Sequence, residues 1–337
     1  MGTALVTGVT GQLGYYVAEH LTRRGDTVWG VVRQSTVGRY AGAVTLPYRA
    51  ITGDLLDEYS LLSILEETRP DRIFNFGAQS VIPSSWSQPI LTAQYTGLGV
   101  VRLLEAMRRA VPGCRLLQAG SSELYAEANR SPQDESVPIQ PLNPYGMAKA
   151  FGYHAVRAYR RHYKMFATNV VFFTNESVRR TPEFVFRKVT RGVAEIVAGK
   201  RTEIRLGNLE SIRDWGYAPE YAALALALLE LDAPDDFVIA TGEGHKVRDL
   251  VAGAFSLVGL DWQKYVKIDE ELVRPSEPVP IIGNSAKVKG TLGASPQVKF
   301  DAILRILLAH DLAALGQEVP FETVVPAFGL PGPAGKS

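Results

Sequence analysis

The sequence predicts an α/β fold: a doubly wound parallel sheet followed by a smaller C-terminal α/β lobe for substrate. Three observations predict it. Apolar, β-branched runs alternate with helix-periodic stretches through the first half. A glycine-rich turn stands directly between the first strand and the first helix. After about residue 175 the rhythm breaks, and prolines and charges become denser.

Thr3–Thr7 is a short apolar strand, and 12–24 has helical periodicity. Thr27–Val32 is a second strand, rich in β-branched residues. A third strand ends before Gly53-Asp54-Leu55. Residues 60–67 are helical, 72–76 a fourth strand, 98–110 an amphipathic helix and 115–119 a fifth strand. A long helix over 143–163 leads into a strand over 167–173. Residues 237–240 read as a strand returning to the same sheet. The expected division is a cofactor domain over 1–175, joined again by 236–244, then a substrate lobe mainly within 176–330. Residues 331–337 form a tail rich in Gly and Pro.

A chain of 337 residues suits two joined domains better than one core. Lys plus Arg is 36 and Asp plus Glu is 35. That balance, with no basic patch interleaved with aromatics, argues against nucleic acid as a partner. The N-terminus enters a strand at once, no apolar run reaches about 20 residues, and Val6 breaks the myristoylation pattern. A soluble, cytoplasmic protein with no membrane contact is expected. The single cysteine, Cys114, lies in an apolar run and reads as a buried thiol. His20, His154, His162, His245 and His310 are scattered, and no metal site is expected.

Thr7-Gly8-Val9-Thr10-Gly11-Gln12-Leu13-Gly14 makes the sheet Rossmann-type. Gly8 and Gly11 allow a tight turn and a close approach to pyrophosphate, with Thr10, Gln12 and Leu13 around it. Gly14 lets the helix lie near the sheet. The second strand ends in Arg33, where enzymes using NAD usually carry an acid. A guanidinium there pairs with a 2′-phosphate, so NADP is expected rather than NAD. Asp54 and Leu55 are expected beside the adenine. Phe76, Gly77, Ala78, Gln79 and Ser80 supply small or polar residues beside the cofactor after the fourth strand.

Tyr145 and Lys149, four apart on a helix, share one face. A phenol with a reference pKa of ~10 needs nearby positive charge to act as a base at neutral pH. Lys149 and a cationic nicotinamide would supply it. Tyr145 could then take a proton from a sugar hydroxyl while hydride leaves the same carbon. Ser121, after the fifth strand, can hold the reacting oxygen. Oxidation needs only Ser121, Tyr145 and Lys149. Glu123 adds an acid–base group, which suits removal of the C5 proton and departure of the C6 hydroxyl as water.

These residues resemble the GDP-mannose 4,6-dehydratases, of the extended short-chain dehydrogenase/reductase type. The resemblance runs from Ala4 to about Leu312. It rests on the glycine turn, Gly53-Asp54-Leu55, Ala78-Gln79-Ser80, Ser121-Ser122-Glu123-Leu124-Tyr125 and Glu176-Ser177-Val178-Arg179-Arg180. The run Leu206-Gly207-Asn208-Leu209-Glu210-Ser211-Ile212-Arg213-Asp214-Trp215-Gly216 is the most specific part. Arg274-Pro275-Ser276-Glu277 completes it. The resemblance implies substrate contacts from Ser85, Asn175, Lys188, Arg213, Arg274 and Glu277, besides Ser121, Glu123 and Tyr145. It places Asn175 and Arg180 near the cofactor as well, and it implies a homodimer or homotetramer. The chain departs from the family pattern at Leu13, Thr96, Ser121, Asn175 and Val178, and in the loop 34–43, where Arg39 is the one Arg. Most of these surround the sugar and nicotinamide, so the sugar is the part expected to differ. The expected activity is GDP-sugar 4,6-dehydration. A GDP-sugar 4-epimerase or 4-keto reductase on the same scaffold, or a cofactor-binding protein without turnover, are the alternatives.

Overall fold

The structure is a computed structural model that describes residues 1–34, 46–272 and 279–324. The expectations for Arg39, Arg274, Glu277 and the tail fall outside those residues.

Seven parallel strands form the central sheet. Six come from the first half: β1 (Thr3–Thr7), β2 (Thr27–Val32), β3 (Arg49–Thr52), β4 (Arg72–Asn75), β5 (Arg115–Ala119) and β6 (Ala167–Phe172). The seventh, Asp236–Ile239, returns beside β6. The order is return strand, β6, β5, β4, β1, β2, β3. The order therefore reverses between β1 and β4, and the crevice at the strands' carboxyl ends is where such sheets hold ligands. β6 is buried at every position because helices cover both faces.

One face packs helix Gln12–Arg23 (α1) against helix Ala218–Leu229. The latter is buried along its whole length, which explains its near-absence of polar residues. It lies on the sheet although it falls within 176–330. The other face carries helices Glu58–Thr68 and Gly99–Ala110, with Cys114 buried beneath them. Burial pushes that thiol up to about 12, so it is inert at neutral pH.

A second core gathers helices Val185–Val197, Val247–Leu257 and Phe300–Ala314 around Trp215 and Phe186. Arg187 and Asp311 form a buried ion pair there, and Thr190 Oγ1 donates to the same carboxylate at 2.8 Å. Asp214 ties this lobe to the sheet. Its carboxylate accepts from the Thr241 N–H and hydroxyl, at 2.9 and 2.6 Å, and from the Gly242 and Gly283 N–H groups. No helix among the described residues is long and apolar enough to cross a membrane.

Candidate active site

The site begins where β1, β4 and β5 end side by side. Thr7 pairs in register with Asn75, and Asn75 with Gln118. Their side chains continue the ladder: Thr7 Oγ1 bonds Asn75 Oδ1, and Asn75 Nδ2 donates to Gln118 Oε1 at 2.6 Å. Thr7 Oγ1 also accepts from the Gly77 N–H at 3.0 Å. This buried polar row fixes the loops that leave the sheet edge.

Gly8 has φ +63, a left-handed conformation that costs other residues energy. A Cβ at Gly14 would lie 2.4 Å from the Gly8 carbonyl oxygen, so only glycine lets α1 start this close to the turn. At Gly11, by contrast, the nearest atom to an added Cβ is 3.2 Å away, and the residue is exposed. α1 has no side-chain cap and no acid in its first turn. Its free N–H groups and positive dipole end suit a dinucleotide's pyrophosphate. Thr10 and Leu13 flank this surface, half-buried.

Gln12 has a different task. Its side chain donates to Asn175 O at 2.7 Å and Asn175 Oδ1 at 2.9 Å, and accepts from Ser177 Oγ at 2.8 Å. The amide thus staples the glycine turn to the first segment of the second lobe. Arg179 adds a guanidinium 3.6 Å from the Tyr15 ring centroid.

At the other end, Arg33 is exposed at the carboxyl end of β2, 5.6 Å over the Tyr95 ring. Asp54 Oδ1 accepts from the Leu56 N–H at 2.9 Å, shaping the loop, while Leu55 is buried. Phe76 and Ala78 are half-buried and Ser80 is exposed. Gln79 is held by two threonines: its N–H donates to Thr96 Oγ1 at 3.0 Å, and its Oε1 accepts from Thr92 Oγ1. Thr96 sits in a π-helical stretch, Ala93–Leu98, packed on helix Pro144–Tyr163.

Helix Pro144–Tyr163 brings Tyr145 and Lys149 to the edge. Ser121, the first residue after the β5 edge to carry a hydroxyl, accepts from the Glu123 N–H at 3.3 Å and favours the ionised form of the Tyr145 phenol. Burial, offset in part by Ser121 and Arg180, pushes the phenol up to about 12. Glu123 raises it further. The buried Lys149 ammonium donates to Ala119 O at 2.7 Å and lies 5.8 Å from the Tyr145 ring centroid. Burial lowers it to about 8. Burial therefore disfavours the phenolate in the protein without cofactor; the expectation has Lys149 and a cationic nicotinamide acting together to draw it down.

Asn143 was not among the expected residues. It caps the helix by accepting from the Gly146 N–H at 2.9 Å, and its Nδ2 donates to Glu123 Oε2 at 2.7 Å. One buried carboxamide thus sets both the helix that carries Tyr145 and the carboxylate of Glu123. An Asn followed by Pro at the head of a helix is a cap signal legible in the sequence; the bond to Glu123 is not.

The remaining expected residues lie farther out. Ser85 is buried in helix Ile82–Ser87 and donates to Ile82 O at 2.7 Å. Lys188, half-buried, has its charge disfavoured by burial and by Arg201, with Asp269 opposing. Arg213, half-buried, donates to Ile212 O at 2.8 Å.

Residues 5–307 match the family model described as GDP-mannose 4,6 dehydratase. The chain belongs to the GDP-mannose 4,6-dehydratase family. It is 37% identical to "GDP-mannose 4,6 dehydratase 2" of Caenorhabditis elegans, over 93% of this chain and 89% of that one. It is also 37% identical to the GDP-mannose 4,6 dehydratase of Homo sapiens, over 92% and 91%. Among solved structures, a putative epimerase from Burkholderia cenocepacia superposes with a TM-score of 0.82 at 25% identity, over 93% and 98%. Solved chains of this fold include complexes with NAD and with NADPH. The glycine turn and uncapped α1 fit such a dinucleotide.

Proposed function

We propose that the chain is an NADP-dependent GDP-sugar 4,6-dehydratase, with GDP-mannose or a close relative as substrate. The observation that carries this is Glu123 held between Ser121, which caps its N–H, and Asn143, which caps the helix bearing Tyr145. Oxidation at C4 needs Ser121, Tyr145 and Lys149; Glu123 serves the step that follows it.

In this reading Ser121 orients the sugar O4 and Tyr145 removes its proton. A nicotinamide held at the turn of Gly8, Gly11 and Gly14 would supply the hydride chemistry, from C4 and back to C6. The C4 ketone acidifies the C5 proton, which Glu123 removes. The protonated Glu123 then passes that proton to the departing C6 oxygen, releasing water. The proton that Tyr145 took from O4 is delivered to C5 as hydride reaches C6, which restores the phenolate and completes the 4-keto-6-deoxy sugar. Lys188 and Arg213 are the described cations proposed for the diphosphate. The negative charge of a phosphate would favour the Lys188 ammonium, whose charge burial disfavours. The test is a panel of GDP-, dTDP-, UDP- and CDP-sugars: water loss confined to the GDP-sugar supports the assignment, and water loss with another nucleotide overturns it.

Arg33 is proposed to choose NADP through the 2′-phosphate. Arg33→Ala should weaken NADP binding about 10- to 100-fold, the worth of one charge-assisted pair, and leave NAD binding within about twofold. Calorimetric titration with each cofactor checks it, and an equal loss for both would remove Arg33 from the choice.

A homo-oligomer is also proposed. Leu91, Leu98, Met147 and Phe151 are 43%, 37%, 55% and 49% exposed on helices that pack side by side. Apolar side chains grouped in this way mark an interaction face. Light scattering should give a multiple of the chain's mass; the mass of one chain would contradict it.

A further inference from the structure

Asn143 is 6% exposed and caps helix Pro144–Tyr163. Its Oδ1 accepts from the Gly146 N–H at 2.9 Å, and its Nδ2 donates to Glu123 Oε2 at 2.7 Å. The two ends of the amide cannot be exchanged, because the N–H needs an acceptor and the carboxylate a donor. Glu123 Oε1 takes no hydrogen bond from the described residues. The two backbones are tied as well. Leu124 O accepts from the Gln140 N–H at 2.8 Å, and Gln140 O from the Glu127 N–H at 2.9 Å. A Cβ at Gly146 would lie 2.8 Å from the Glu123 carbonyl oxygen, so the first turn of the helix rests directly on the Glu123 backbone.

Capping alone does not call for an amide, since Asp and Ser cap about as well as Asn. Of the three, Asn accepts at one end and donates to a carboxylate at the other. A serine has a single oxygen, on a side chain one atom shorter, for both tasks. Elimination makes a demand that capping does not. The oxygen that takes the C5 proton must pass it to the departing C6 oxygen. A carboxylate free to turn about its last bond loses that alignment between the two transfers.

We propose that Asn143 is a positioning residue for Glu123, its amide anchoring Oε2 so that Oε1 carries the proton from C5 to the C6 oxygen. Oε1 gains the proton as the C5–H bond breaks. The electron pair left at C5 forms the C5–C6 double bond as the C6–O bond breaks, and Oε1 returns the proton to the leaving oxygen as water. C4 oxidation does not use Glu123, so it is indifferent to this anchor. The inference rests on Glu123 being the group that serves elimination.

The test is a single turnover of GDP-mannose by the protein with bound NADP. Rapid-mixing absorbance follows reduced cofactor, and mass spectrometry follows the lost water. Asn143→Ser keeps a cap and gives up the reach to Glu123. Reduced cofactor should form within about threefold of the wild-type rate, whereas water loss should slow by about 10- to 100-fold, the worth of a charge-assisted hydrogen bond. Reduced cofactor should therefore accumulate in the variant. Asn143→Asp keeps both the cap and the volume but sets an oxygen against Oε2. It should slow water loss at least as much, and it serves alone if Asn143→Ser does not fold. Equal slowing of the two steps in a folded variant would mean that Asn143 serves only the helix, and would overturn the proposal. So would water loss at the wild-type rate. Glu123→Gln is run alongside: unchanged water loss there would instead overturn the role of Glu123.

Discussion

Replacing Tyr145 by Phe should lower turnover of GDP-mannose by about 10²- to 10⁴-fold, the usual worth of a general base. The head of the helix that carries Tyr145 is tied through Asn143 to Glu123, two residues after Ser121, at the carboxyl edge of the sheet where folds of this kind hold ligands. The protein pushes the phenol up to about 12. Lys149, lowered by burial to about 8, is still largely charged at neutral pH, and a bound oxidised cofactor would add to its downward pull on the phenol. The sign follows: activity should rise with pH as Tyr145 loses its proton in the complex, and the acid limb should lie below the phenol's own value. Phe keeps the ring's packing, so cofactor affinity should stay within a few-fold. Steady-state rates and cofactor titration check both parts. Phe retaining more than about a tenth of wild-type turnover would remove the base role.

Replacing Glu123 by Gln should separate two steps. C4 oxidation needs no group at this position, whereas elimination needs a carboxylate that takes the C5 proton and returns it to the leaving oxygen. Water loss should fall by about 10²- to 10⁴-fold while reduced cofactor builds up on mixing with GDP-mannose. The Asn143 amide that donates to Glu123 can still donate to the Gln carbonyl oxygen, so the local fold is kept. Rapid-mixing absorbance follows the cofactor and mass spectrometry follows the water. Unchanged water loss would exclude Glu123 from the elimination.

Much of the fold was legible because its signals are local. The alternation of strands and helices, and the turn holding Gly8, Gly11 and Gly14, are read within a few residues of chain. Helix Pro144–Tyr163 and the return strand Asp236–Ile239 begin and end within one residue of where periodicity put them. The placement of helix Ala218–Leu229 on the sheet was less legible. Its even apolarity says that it is buried and not against what. Tyr145, Lys149 and Ser121 could be named because their spacings reflect one helix face and one strand end. The connections among them could not. Gln12 and Asn175 lie 163 residues apart, and the task of Gln12 as a staple exists only once the second lobe has folded against α1. Asn143 and Glu123 meet across 20 residues that carry no periodic signal. The π-helical stretch that brings Thr96 under Gln79 has no sequence signature either.

The central claim is an internal redox cycle in which one hydride leaves C4 and returns at C6. GDP-mannose carrying deuterium at C4 tests it most directly. The product should have lost one water by mass and should carry the deuterium at C6, read by NMR. Product of unchanged mass with C4 inverted would contradict the account and make the chain an epimerase.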